Sequence, residues 1–97
     1  MATLTDAQIE ERLASAPGWR RAHDPAPAAI ARELELADFA AAIALVNRVA
    51  ELAEAANHHP DILVHGWNKV RLTLSTHSQG GLTDADFALA GQIDGVV

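Results

Sequence analysis

The stretch NHHPDILVHGWNKVRLTLSTH, Asn57 to His77, decides the fold. Its second half alternates cleanly. Val70, Leu72 and Leu74 share one parity, and Arg71, Thr73, Ser75 and His77 share the other. Alternate residues of a strand point to opposite faces, so Lys69–Thr76 reads as a half-buried strand. Ile62–Gly66 reads as a second strand, and the two join by a turn near Gly66 to Asn68. Pro60 has no N–H and biases His59 toward extended geometry. Any helix upstream must therefore stop near Asn57, a residue that tolerates the left-handed cap conformation. His58 and His59 occupy the junction between helix and strand.

Working outward, the segment before Asn57 is helical. Asp38 is its expected N-cap. Phe39, Ile43, Val46, Ala50 and Ala53 keep helical spacing, Leu45, Val49 and Leu52 widen the apolar arc, and Arg48 and Glu51 fall opposite it. Upstream, Ile30–Leu36 alternates, with Ile30, Leu34 and Leu36 inward, Glu33 and Glu35 outward, and Arg32 misplaced on the inner parity. Gly18–His23 reads as a short strand and Asp24–Pro27 as a turn, which together suggest a hairpin. A first helix opens at Thr5, with Gln8 at capping-box spacing and Leu4 and Ile9 as a hydrophobic staple. Ile9 and Leu13 share its inner face, and Pro17-Gly18 stops it. Downstream, Ser78–Gly81 is a loop. Thr83 caps a last helix, with Asp86 three residues on and Phe87, Ala90 and Ile93 inward. The order is helix, strand, strand, helix, strand, strand, helix. Consecutive hairpins predict an α+β fold, a four-stranded antiparallel sheet with helices packed on one face.

Composition narrows the function. The chain has 97 residues, one domain's worth, expected to span 1–97. It has no cysteine, which excludes disulfides, thiolate metal sites and cysteine nucleophiles. Seven Lys and Arg against 13 Asp and Glu leave a net charge of −6, with no basic patch, so direct nucleic-acid binding is not expected. No segment reads as a signal peptide or approaches the roughly 20 apolar residues of a membrane span. A cytoplasmic location without membrane contact is expected. Alanine makes up much of the 49% apolar content, and it buries little area per residue, so self-association through an apolar face fits.

The residues able to carry chemistry are Glu54, His58, His59, His77 and Asp86, all at element ends. Ends that meet at one rim of a sheet can converge on a cleft. Each has a plainer reading: Glu54 as a solvated helix residue, Asp86 as part of a cap, His77 as a surface histidine. His23 and His65 suggest no role. A metal site could in principle use His58, His77 and Glu54, but adjacent residues of extended chain point to opposite faces, so His58 and His59 would not readily share one ion. Acid–base chemistry suits the residues better, since imidazole gives or takes a proton near neutral pH. No phosphate loop, dinucleotide fingerprint or serine elbow is present.

The spacing then becomes recognisable. Glu54, three residues, His58-His59-Pro60, six residues, Trp67, nine residues, His77, eight residues, Asp86 resembles the signature of the pterin-4a-carbinolamine dehydratases. Gly18-Trp19, Asp38-Phe39, Asn68–Val70, Leu72–His77 and Gly81–Thr83 match as well, so the resemblance covers Trp19 to Asp94. It departs at Trp67, where tyrosine is commoner, and at His65-Gly66. The family's fold is a four-stranded antiparallel sheet with helices on one side. The implied reaction is dehydration of 4a-hydroxytetrahydropterin to quinonoid dihydropterin, with the pterin as substrate and no cofactor or metal. The resemblance implies active-site histidines at His58, His59 and His77, and acidic positions at Glu54 and Asp86. It implies a pocket lined by Asn57–Pro60 and by Ser75, Thr76, His77 and Ser78, with Trp19 nearby. Family members are dimers or tetramers, serve aromatic amino-acid hydroxylases, and in some cases assist transcription factors by forming mixed oligomers. The alternative expectation is therefore a dehydratase-like binding partner acting through oligomerisation.

Overall fold

The computed structural model describes residues 2–22 and 28–97. The elements are α1 (Asp6–Ala14), β1 (Arg20–Ala22), β2 (Ala29–Glu35), α2 (Phe39–Ala56), β3 (Asp61–His65), β4 (Lys69–Leu74), a 3-10 turn (His77–Gln79) and α3 (Asp84–Asp94). The strands form one antiparallel sheet in the order β1-β2-β4-β3. This is the α+β architecture that the alternation predicts. His23 and the expected turn Asp24–Pro27 lie outside the described residues.

Register explains which side chains are inside. Ile30 pairs with Leu74, Arg32 with Leu72 and Leu34 with Val70, while Ile62 and Val64 pair with Leu72 and Val70. Paired residues share a face, so this face is apolar, and Ile9, Leu45, Val49, Leu89 and Ile93 of the helices close over it. Burying each such side chain contributes about 1.5–3 kcal/mol. Arg32 is the exception on this face. Its guanidinium bonds the Asp94 carboxylate at the end of α3 and packs over Gly18, where a Cβ would come within 2.8 Å of it. A charged residue is tolerated at that position because its head reaches a carboxylate at the rim.

Three expectations shift. The buried face of α2 is Ala42, Leu45, Val49 and Ala53, whereas Phe39 and Ala50 are exposed. The helix is apolar around much of its circumference, so spacing alone leaves two overlapping stripes, and the contact with the sheet selects one. β4 ends at Leu74 rather than Thr76, because Thr76 turns away to bridge Gly81. Thr73 and Ser75, though on the outer parity, are buried, and Ser75 Oγ donates to the Ala28 carbonyl at 2.8 Å. At the β3–β4 tip, Gly66 (φ 55°) and Trp67 (φ 60°) are both left-handed, and Trp67 is 62% exposed. Asn68 ties this tip to Leu36 through bonds in both directions. Among the described residues no helix is long and apolar enough to cross a membrane.

Candidate active site

The end of α2 aims His58. Asn57 takes the left-handed conformation (φ 49°), its N–H reaches the Glu54 carbonyl, and the N–H of His58 reaches back to the Ala53 carbonyl at 3.1 Å. This pair of bonds is the Schellman motif, which ends a helix and turns the chain sharply. The turn carries His58 out of helical register. Pro60 then holds the exit extended, and the two histidines diverge. The side chain of His58 is largely buried, whereas that of His59 is exposed.

The start of α3 supplies the partner. Thr83 caps the helix, and the Asp86 carboxylate accepts the Thr83 N–H through Oδ2 at 2.9 Å, which closes the capping box read from the sequence. Asp86 is fully buried. Its Oδ2 also accepts the Thr76 hydroxyl at 2.7 Å, and its Oδ1 lies 2.6 Å from His58 Nε2. The capping role and the functional role of Asp86 are compatible because a carboxylate has two oxygens, one for each. The carboxylate that holds His58 thus comes from α3, 28 residues away. Glu54 stands 3.7 Å from His59 Nε2, beyond hydrogen-bond range, with both side chains exposed.

His77 begins the 3-10 turn directly after Thr76 and is exposed, as is Ser78. The turn is held by reciprocal backbone bonds between Thr76 and Gly81. His58, Thr76 and Asp86 therefore meet where α2 and β4 end and α3 begins, and His77 is the chain neighbour of Thr76 there. Ser75 faces the Ala28 backbone instead. Trp19 is buried, and its indole N–H donates to Asp94 at 2.8 Å. Asp94 lies eight residues beyond Asp86 on α3, about 12 Å along the helix, so Trp19 packs at the other end of α3. Thr83 joins the buried network through its hydroxyl, 2.9 Å from that of Thr76. Its sequence signals were the cap spacing Thr83-x-x-Asp86 and its place in the Gly81–Thr83 stretch. Among the described residues, no three His, Asp or Glu side chains are grouped to hold one metal ion. A cavity of about 220 Å³ lined by Glu33, Leu34, Glu35, His65 and Lys69 lies at the opposite end of β3 and β4 and shares no residue with this rim.

The chain matches the model of the pterin 4 alpha carbinolamine dehydratase family over residues 2–96. A relative from Acidobacterium capsulatum, named for the same family, is 53% identical over 97 residues, the whole of both chains. Another, from Roseiflexus castenholzii, is 52% identical over 96 residues, 99% of this chain and 98% of its own. Among solved structures, the transcriptional coactivator/pterin dehydratase from Brucella melitensis superposes with a TM-score of 0.87 at 32% identity, covering 97% of each chain. A pterin dehydratase-like protein described as a RuBisCO assembly factor in the alpha-carboxysome superposes with a TM-score of 0.67 at 25% identity, covering 81% of this chain and 88% of its own. With its fold and nearly its whole length matched, the chain belongs to the pterin 4 alpha carbinolamine dehydratase family.

Proposed function

We propose that the protein dehydrates 4a-hydroxytetrahydropterin to quinonoid dihydropterin by histidine acid–base catalysis. In this step the C4a–O bond breaks, N5 loses its proton, a C4a=N5 double bond forms and water leaves. Hydroxide is a poor leaving group, so an acid must protonate it and a base must take the N5 proton. The observation that carries the reading is the pairing of His58 Nε2 with the buried carboxylate of Asp86. A carboxylate only accepts, so Nε2 donates to it, and Nδ1 of the neutral ring keeps its lone pair. His58 is accordingly the base and His77 the acid. His59 binds the pterin, and Glu54 bonds the pterin or a histidine. Asn57, Pro60, Thr76 and Ser78 shape the pocket wall, while Asp86 acts through His58. The pterin is substrate, and no other cofactor or metal enters this scheme. The enzyme works in the cytoplasm as a homodimer or homotetramer, restoring pterin used by an aromatic amino-acid hydroxylase.

The test is turnover of 4a-hydroxytetrahydropterin generated in situ by a hydroxylase, for wild type beside His58→Ala. A general base contributes about 10²- to 10⁴-fold, so the variant should lose that order of rate. Folded wild type that gives no acceleration refutes the reading. It would favour the second one, a dehydratase-like binding partner acting through oligomerisation. What supports that reading is the flank of α2 left uncovered by the sheet, Phe39 and Ala50 with half-buried Ile43 and Val46 between them.

A further inference from the structure

The hydrogen bonds behind His58 run in one direction only. The Asp86 carboxylate can only accept. Thr76 Oγ1 lies 2.7 Å from Asp86 Oδ2, so its one proton points there. The Thr76 oxygen then accepts from Thr83 Oγ1 at 2.9 Å, which uses the single proton of Thr83. The Thr83 oxygen in turn accepts the Ala85 N–H at 3.3 Å. Every link is a donor pointing toward Asp86, and bonds aligned in this way polarise one another. Thr83 and Asp86 are both fully buried, and Thr76 nearly so, so water cannot substitute for a missing link.

We infer that Thr83 is a positioning residue of this site: through Thr76 and Asp86, its hydroxyl fixes which ring nitrogen of His58 carries the proton. The inference rests on the dehydratase reading and adds to it a residue that contacts neither the pterin nor His58. With Oδ2 occupied by the Thr76 hydroxyl and the Thr83 N–H, Oδ1 is held toward His58 Nε2 and selects the Nε2–H tautomer. Removing the Thr83 hydroxyl leaves the Thr76 oxygen without a donor in a buried place. Thr76 and Asp86 can then reorient, and the hold on Nε2 loosens. Capping by itself does not require this. A cap needs only an acceptor at Thr83, whereas the chain needs a group that both accepts and donates.

The experiment records ring ¹⁵N spectra of His58 at alkaline pH, without substrate, in the full chain and in Thr83→Val, Thr83→Ser and Thr76→Val. Turnover and thermal unfolding are measured alongside. Wild type should show the single Nε2–H tautomer. Thr83→Val should show both tautomers and a kcat about tenfold lower with KM nearly unchanged, the scale of one lost supporting hydrogen bond. Thr83→Ser should restore both. Thr76→Val breaks the same chain while leaving both cap residues, Thr83 and Asp86, in the sequence, and its spectrum should show the same mixed tautomers; it decides the matter if Thr83→Val does not fold. Wild-type tautomer in folded Thr83→Val and Thr76→Val overturns the inference. So does equal loss in Thr83→Ser, which would assign the effect to packing. The spectra need no turnover, so they decide the inference even if the dehydratase reading fails.

Discussion

Asp86→Asn isolates the proton placement from the fold. The side chain keeps its size, and its one remaining oxygen can still accept from Thr83 N–H and Thr76 O–H, which both reach Oδ2. The new amide NH₂ then faces His58 Nε2, so Nε2 must accept and the ring proton moves to Nδ1. Hydrogen bonds to a charged group contribute about 1.5–3 kcal/mol and neutral ones about 0.5–1.5. All three bonds persist in weakened form, so the expected stability loss is about 1–2 kcal/mol. For a domain of this size that is a fall in Tm of about 5–15 °C. Asp86→Ala differs sharply. It strands three buried donors at about 1–3 kcal/mol each, so it should cost at least about 3 kcal/mol out of a total of about 5–15. The catalytic effect of Asp86→Asn should exceed its structural effect. A histidine locked in the wrong tautomer has lost the lone pair that takes the N5 proton, and the analogous exchange in a serine-protease triad costs about 10⁴-fold. A loss of about 10²- to 10⁴-fold is expected here. Urea unfolding, turnover on 4a-hydroxytetrahydropterin and the ¹⁵N spectrum of His58 form the assay. Wild-type turnover in folded Asp86→Asn would refute the reasoning, since it would mean that the catalytic base does not depend on this carboxylate.

Other predictions follow from local geometry. Asn57→Ala places a Cβ-bearing residue without a polar side chain at φ 49°, so urea unfolding should show a loss of about 1 kcal/mol. Trp67→Asn puts a residue suited to φ 60° at an exposed tip, and its Tm should rise by a few degrees, on the scale of about 1 kcal/mol; a fall would show that the indole packs against something this chain alone does not present. The hydrogen bond from Arg71 Nε, 2.8 Å long, holds the Glu33 carboxyl below its ordinary value of 4.5. A depressed carboxyl pKa contributes stability that is present above the unfolded value and lost as pH falls through the folded one. Wild type should therefore lose its advantage over Arg71→Met in unfolding experiments below pH 4.5 and keep it above.

What the sequence alone determined is what neighbouring residues decide among themselves. Thr5 with Gln8, Asp38, and Thr83 with Asp86 set three helix starts, because a cap is closed within four residues. Asn57 and Pro60 set the end of α2, and the alternation of Val70, Leu72 and Leu74 set the inner face of β4. The histidine spacing pointed to the rim. What only the tertiary structure decided depends on residues far apart in the chain. Helical spacing puts Glu54 near His58, yet the Schellman turn swings His58 toward α3, where Asp86 meets it. Arg32 looked misplaced until the end of α3 brought Asp94 to its head. The inner stripe of α2 could not be told from its outer flank, because alanine makes both apolar, and only packing against the sheet distinguishes them. The direction of the Thr83–Thr76–Asp86 chain was equally hidden. A hydroxyl can donate or accept, and its choice is made by the buried carboxylate that three separate segments assemble around.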